Sequence, residues 1–296
     1  MKAFGVKVMV KHKKAMYFKK IEDQAVHCYL CPHSCIIKPG GSGICGARKN
    51  IGGDLYSMNY GRTTSIAMDP IEKKPLYRFY PGSMILSVGT FGCNLKCSFC
   101  QNWTIAHTDT QTAEITPSEL VEKASGLIAR KNIGIAYTYN EPAIWYEFVY
   151  DTCRAARDNG LKNVLVTNGF IGREPLEALL PFIDAMNIDV KAYTSGFYKE
   201  ICKASLENVK ETVKIAAGKC HVEVTTLVIP GLNDSLEEID RLSEWLAAIS
   251  RNIPLHLSRY FPSYKMTHIP PTPEKTLADA RNKALEHLKY VYLGNI

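Results

Sequence analysis

From residue 83 onward the chain alternates short apolar runs with stretches of helical length, and this alternation limits the fold more than any other feature. The runs Met84–Val88, Ile133–Thr138, Val164–Thr167, Ala185–Val190, Val222–Ile229 and Leu255–Leu257 are almost continuously apolar. Strands covered on both faces read this way, whereas a sheet with one wet face alternates apolar and polar residues. Between the runs, Thr116-Pro117-Ser118-Glu119 offers an N-cap, a proline at the first helical position and a capping-box glutamate, which predicts a helix to about Arg130. Helices are also predicted over Pro142–Asp158, ending before Gly160, and over Leu206–Ala217, ending before Gly218. Another opens at Ser235, with Leu236, Ile239, Leu242, Leu246 and Ile249 on one stripe. A last helix follows Thr272-Pro273, and the strand-like YVYL closes the chain. About six βα units predict an α/β fold, a partial (β/α)6-type TIM barrel, because right-handed crossovers curve a parallel sheet. Function then belongs at the C-terminal ends of the strands.

The first 80 residues have none of this order. We divide the chain into a Cys-rich, metal-binding N-terminal segment, 1–80, and a barrel, 81–296. The segment carries HCYLCPHSCIIKPGGSGICGAR, β-prone pieces at Leu55–Tyr60 and Thr64–Ala67, and a linker punctuated by Pro70, Pro75 and Pro81-Gly82. With 46% hydrophobic and 22% charged residues the chain is not a disordered one. No run approaches the ~20 apolar residues of a membrane span. MKAFGVKVMVKHKK lacks a small-residue cleavage site, so the expected location is the cytoplasm, with no membrane partner. The net charge is 36 − 29 = +7, and Lys2, Lys7, Lys11, Lys13, Lys14, Lys19 and Lys20 supply much of the excess. A basic arm of this kind meets an acidic partner or is a solvated face. The lack of interleaved aromatics argues against nucleic acid.

Ten cysteines are many for a chain in a reducing compartment, and they are clustered. Cys153, Cys202 and Cys220 stand alone and are read as small buried hydrophobes. Cys28, Cys31, Cys35 and Cys45 form a quartet able to close a tetrahedral shell. Its occupant is a structural zinc ion or a second [4Fe–4S] cluster serving as an electron relay. Flanking Pro and Gly suit a zinc knuckle, and the spacing fits neither ferredoxin pattern. His33 is an alternative ligand. After the first strand, GTFGCNLKCSFCQN holds Cys93-x3-Cys97-x2-Cys100. Three thiolates on one tight loop hold three irons of a [4Fe–4S] cube and leave the fourth open to a small chelating molecule. The competing reading is a zinc site completed by His107.

A Cys-x3-Cys-x2-Cys loop after the first strand of a βα barrel resembles the radical S-adenosylmethionine (SAM) enzymes. The resemblance implies that SAM binds the open iron and is reductively cleaved to methionine and a 5′-deoxyadenosyl radical, which abstracts a hydrogen atom. It places Phe99 by the adenine. YTYNEP stands where the family has a turn for the SAM amino group, which makes Asn140 and Glu141 candidates. VTNGF matches the Thr-Asn-Gly turn of the glycyl-radical-activating branch at Thr167 and Asn168, with Val166 where that branch often has Asp. NIDVK matches its Asp-x-Lys at Asp189 and Lys191, at the methionine end of SAM. EVTTLVIPGLND has Thr225 where the branch has Arg. PLHLSRYFP brings His256, Arg259 and Tyr260 toward the barrel mouth, and Lys191 and His256 are the catalytic candidates. More narrowly, CYLCPHSC, GICGAR, DPIEKKPLYRFYPG, FGCNLKCSFCQN and YTYNEP together are similar to the radical SAM component of the AmmeMemoRadiSam system. That likeness implies AMMECR-type and Memo-type partners, and an electron donor such as a flavodoxin or ferredoxin.

Two further functions compete with hydrogen abstraction from, or coupling to, a large substrate. One is activation of a glycyl-radical enzyme. The other, from a different class, is a zinc- or cluster-bearing nucleic-acid-binding module, which leaves the residues at the strand ends without a role.

Overall fold

The computed structural model describes residues 12–296. Lys2, Lys7 and Lys11 of the basic arm lie outside the described residues. Eight strands form one sheet. Seven of them run parallel and neighbour one another in chain order: Met84–Gly89, Asn132–Tyr137, Lys162–Thr167, Ala185–Asp189, His221–Val228, Leu255–Arg259 and Val291–Gly294. The eighth, Ser65–Pro70, pairs antiparallel with Met84–Gly89 at the edge. Strand order equal to chain order is what successive right-handed crossovers produce. Cys93, just after the first parallel strand, and Asn295, just after the last, line one cavity. A flat sheet of seven strands would hold these ends far apart, so the sheet curves into a partial barrel. Among the described residues, no helix is long and apolar enough to cross a membrane.

The capping box at Thr116 is present: its side chain accepts from the Glu119 amide, and Glu119 accepts from the Thr116 amide. That helix ends at Ser125 rather than Arg130. Gly126 follows it, and Ile128–Arg130 is a separate 3-10 turn stopped by Lys131 at φ +64°. Pro142–Asp158 splits into a 3-10 turn, Pro142–Trp145, and the helix Tyr146–Asp158. In Leu236–Ile249 the residues Ile239, Leu242 and Leu246 are buried, but Leu236 is exposed at the first turn. The helix Arg173–Leu179 had no counterpart in the sequence reading.

Before the barrel lie two antiparallel three-stranded sheets. One holds Lys13–Lys14, Asp54–Ser57 and Arg48–Ile51, and the other Phe18–Lys20, Val26–Cys28 and Cys35–Ile37. The lysines here form ion pairs within the chain: Lys13 with Asp151 at 2.9 Å, and Lys14 and Lys20 with Asp54 at 2.8 and 3.0 Å. The barrel sheet starts N-terminal to residue 81, because Ser65–Pro70 already belongs to it.

The segment after that strand plugs the barrel. Ile71, Leu76 and Phe79 pack on Ile85, Ala136, Val164 and Ala185 as one apolar cluster. Glu223 fastens the plug: its carboxylate accepts from the amides of Tyr77 and Arg78 at 3.0 and 2.7 Å. His256 and His221 meet the same carboxylate at 2.6 and 2.9 Å. Burial would raise the Glu223 pKa, but the hydrogen bonds from His221, His256 and the Arg78 amide outweigh it and hold the carboxyl at about 2. The depressed pKa means that its stabilisation is present above the unfolded value near 4.5 and is lost as pH falls toward 2. Glu223→Gln is expected to cost about 3–5 kcal/mol at pH 7, since it leaves buried partners uncompensated. Urea unfolding should show the gap between variant and wild type closing below pH 4. A gap independent of pH would refute a charge-based role.

Candidate functional site

Beyond the C-terminal strand ends lies a cavity of about 310 Å³, inside the range of small-molecule sites. The structure brings Cys93, Cys97, Phe99, Cys100, Asn140, Asn168, Asp189 and Lys191 to its wall. Pro75, from the plug, contributes to it as well.

The loop that carries the cysteines is held from several sides. Asn140 Nδ2 donates to the Gly92 carbonyl at 2.8 Å, and the Thr90 amide donates to Asn140 Oδ1 at 3.1 Å. Asn140 thus clamps the loop backbone on both sides of Phe91. Asn168 Nδ2 donates to Asn94 Oδ1 at 2.9 Å and approaches Cys93 Sγ at 3.7 Å. Gly92 has φ +89°, and a Cβ there would lie 2.6 Å from the Cys45 carbonyl oxygen, so only glycine fits.

Glu141 and Thr167 stand behind the wall. Glu141 is buried and accepts from Thr167 Oγ1, the Asn168 amide and the Ala143 amide at 2.7, 2.7 and 2.8 Å. Burial pushes its carboxyl up to about 7 against these hydrogen bonds. This carboxylate joins the ends of the second and third parallel strands and orients Asn168.

Asp189 and Lys191 pair at 2.8 Å, their side chains 28% and 17% exposed. Burial would lower the Lys191 pKa, but Asp189 more than offsets it, so the ammonium stays charged. The backbone of Lys191 is held by the Tyr198 hydroxyl at 2.9 Å and by Asn233 Nδ2 at 2.8 Å. A charged donor and a charged acceptor therefore face one cavity in a fixed arrangement, as a zwitterionic ligand requires.

His256 is not brought to this wall. It shares a strand face with Ser258, which does line the cavity, but it lies deeper, against Glu223, Tyr77 and Tyr292. Arg259 instead reaches the Thr272 carbonyl and Glu274, and Tyr260 is buried. The His107 ring lies 5.8 Å from that of Tyr264, tilted by 31°. Sequence reasoning missed Asn102, which donates to the Tyr139 carbonyl at 2.6 Å, and Cys202, which is buried against the Cys97 thiol. The signal for Asn102 was its place directly after the cysteine loop. Cys202 carried none. Thr225, noted only as a departure from the Arg of the activating branch, lines the cavity.

The three sulfurs fit a polynuclear cluster. Among the described residues, the one group of three or more Cys, His, Asp or Glu whose ligand atoms all lie within 4.8 Å of each other is Asp240, Glu286 and His287. Cys93, Cys97 and Cys100 are therefore spread more widely than a single tetrahedral zinc holds its sulfurs, about 3.8 Å apart for a Zn–S bond of about 2.3 Å.

Residues 87–246 match the radical SAM superfamily. An uncharacterised protein of Methanocaldococcus jannaschii is 48% identical over 290 residues, 96% of this chain and 85% of that one. The pyruvate formate-lyase 1-activating enzyme of Escherichia coli K12 is 28% identical over 160 residues, 52% of this chain and 65% of that enzyme. The (2S)-3-sulfopropanediol dehydratase activating enzyme of Klebsiella oxytoca is 25% identical over 129 residues, 43% of this chain and 41% of that enzyme. The chain thus spans less than two thirds of either activating enzyme. In fold, Streptococcus suis SuiB bound to S-adenosylmethionine superposes with a TM-score of 0.56 at 13% identity, over 71% of this chain and 51% of that one.

Proposed function

The chain belongs to the radical SAM superfamily, and on that premise we propose that it cleaves SAM reductively in the Cys93–Cys97–Cys100 cavity and acts by hydrogen abstraction from, or coupling to, a large substrate. The observation that carries this reading is the convergence of three cysteines from one loop with the Asp189–Lys191 pair in one cavity. A bound [4Fe–4S] cluster and SAM supply the electron and the 5′-deoxyadenosyl radical at this position. Cys93, Cys97 and Cys100 would hold the cluster by three thiolates, which would leave it open to SAM. Asp189 and Lys191 bind the charged methionine end, and Phe99 lies by the adenine. Asn140 and Asn168 fix the cysteine loop, while Glu141 and Thr167 position Asn168. His256 serves the barrel plug instead of the reaction.

The test is anaerobic reconstitution followed by chromatographic detection of 5′-deoxyadenosine under strong reductant. Asp189→Ala and Lys191→Ala are expected to weaken SAM binding tenfold to a hundredfold, the equivalent of about 1.5–3 kcal/mol for a lost charge-assisted contact, with iron content intact. Unchanged SAM affinity in both variants would remove these residues from the site.

The N-terminal block CYLCPHSC and GICGAR, together with FGCNLKCSFCQN and YTYNEP, supports a place in the AmmeMemoRadiSam system, with AMMECR-type and Memo-type partner proteins and a flavodoxin- or ferredoxin-class donor. Ten unpaired cysteines support a reducing, cytoplasmic location. A second reading, activation of a glycyl-radical enzyme, is favoured by the 28% identity to the Escherichia coli activating enzyme. Incubation with candidate glycyl-radical enzymes separates the two, since an activase raises a glycyl signal in electron paramagnetic resonance (EPR).

A further inference from the structure

The quartet Cys28, Cys31, Cys35 and Cys45 is assembled by local geometry. Cys28 and Cys35 face each other across the antiparallel pair Val26–Cys28 and Cys35–Ile37, and Cys31 sits in the connecting turn. Cys45 comes from the next turn, which closes through a Gly46 amide to Gly43 carbonyl bond of 2.9 Å. Cys28 and Cys45 are buried, while Cys31 and Cys35 are partly exposed. The site therefore has a dry side and a side that reaches the surface.

Three observations bear on its occupant and its role. No three of its sulfurs lie within 4.8 Å of one another, a spread it shares with the cysteines of the barrel loop and one too wide for a tetrahedral zinc. Second, Arg48, 1% exposed, has Cys28 and Cys45 as electrostatic neighbours. Its Nη1 donates to the Met16 carbonyl and its Nη2 to Glu147, yet its Nε has no hydrogen-bond partner. Glu147 offsets the Arg48 charge, and Arg48 Nε is a buried donor beside the sulfurs that a metal–thiolate group would satisfy. Third, the quartet abuts the barrel cysteine loop through Cys31, His33 and Cys45. His33 Nε2 bonds the Asn94 carbonyl at 2.7 Å, and the Cys31 thiol meets the Asn94 side chain. The Cys45 carbonyl is what closes the space at Gly92. Asn94 follows Cys93 directly and is joined to it again through Asn168. One residue thus links the two sets of sulfurs.

We propose that Cys28, Cys31, Cys35 and Cys45 ligate a second [4Fe–4S] cluster that relays single electrons from a reduced flavodoxin- or ferredoxin-class protein to the metal site of the barrel loop. The donor protein loses one electron at the partly exposed Cys35 side. The quartet cluster is reduced and reoxidised by that one electron, and the barrel site gains it. No bond or proton changes place. With four protein ligands this cluster has no open iron and does not bind SAM. The direction of electron flow rests on the radical SAM reading of the barrel, but the ligation does not.

The experiment is metal analysis and EPR on the anaerobically reconstituted full chain and on the triple variant Cys93→Ala/Cys97→Ala/Cys100→Ala. About eight irons and eight sulfides per chain are expected in the wild type and about four of each in the variant. The variant should keep a dithionite-reduced cluster signal that SAM does not alter. A wild type with four irons and one zinc, or a variant without iron, would overturn the ligation. Four irons in both proteins, with no SAM cleavage, would overturn the barrel reading and leave the quartet cluster standing. For the relay, Cys35→Ser should lower the ratio of flavodoxin-driven to titanium(III)-driven SAM cleavage at least tenfold. An unchanged ratio would overturn it.

Discussion

Alanine at Cys93 or Cys100 is expected to empty the barrel cavity of its cluster and to abolish 5′-deoxyadenosine formation. The loop offers three sulfurs to the cavity, and each would hold a different metal, so losing one leaves a corner without a protein ligand. The surrounding side chains offer no substitute at these two positions. Asn140 and Asn168 are committed to the loop backbone and to Asn94, and the Lys191 ammonium is paired with Asp189. Cys97 differs, because Cys202 is buried in contact with its thiol. Cys97→Ala can recruit that sulfur, so the decisive protein at this position is Cys97→Ala/Cys202→Ala. Iron and sulfide content with the visible absorption of the cluster provides one readout, and SAM cleavage the other. Wild-type iron at the barrel site in Cys93→Ala or Cys100→Ala would sink the assignment. Because Cys31 meets Asn94, the measurement should separate the two sites by the SAM sensitivity of the EPR signal rather than by total iron alone.

The parallel strands were legible because burial on both faces leaves short, nearly continuous apolar runs of strand length between turn signals: Ile133–Thr138 and Ala185–Val190 were read within one residue of Asn132–Tyr137 and Ala185–Asp189. The cysteine loop was legible because its three cysteines are close in sequence. What escaped depends on distant partners. Ser65–Pro70 is largely half-exposed and lies on a sheet edge, so no apolar run marks it as part of the barrel. The plug Ile71–Phe79 finds its partners at Ile85, Ala136, Val164 and Ala185, and nothing local announces that they meet. His256 shows the limit of periodicity. Period two assigns it the inward face, as for Ser258, but depth along the strand is set by the plug and by Glu223, which only the assembled barrel brings together. Asn140 reached the expected cavity, yet the clamp it forms on Gly92 and Thr90 is a property of two loops and not of YTYNEP.

The same loop packing makes Gly92→Ala a single-methyl change expected to disturb two cysteine-bearing loops at once. Two penalties combine there. A residue with a Cβ at φ +89° costs about 1–2 kcal/mol through its own backbone. The Cβ would also stand 2.6 Å from the Cys45 carbonyl oxygen, which is backbone and cannot rotate away. Either the cysteine loop or the Cys45 turn must move, and both carry sulfurs of the proposed metal sites. Gly82→Ala isolates the first penalty: its φ is +78°, and a Cβ there meets nothing within 4 Å. Gly82→Ala should lose about 1–2 kcal/mol of stability and keep its iron and SAM cleavage. Gly92→Ala should lose SAM cleavage at least tenfold and release iron during anaerobic gel filtration. If the two variants behave alike, backbone strain alone explains both, and the contact between Cys45 and the cysteine loop does not hold the metal sites in place. If Gly92→Ala alone fails, the approach of the N-terminal segment to that loop is a condition for assembling the barrel cluster. A protein truncated before Asn59 should then lose barrel iron as well, although it keeps Cys93, Cys97 and Cys100.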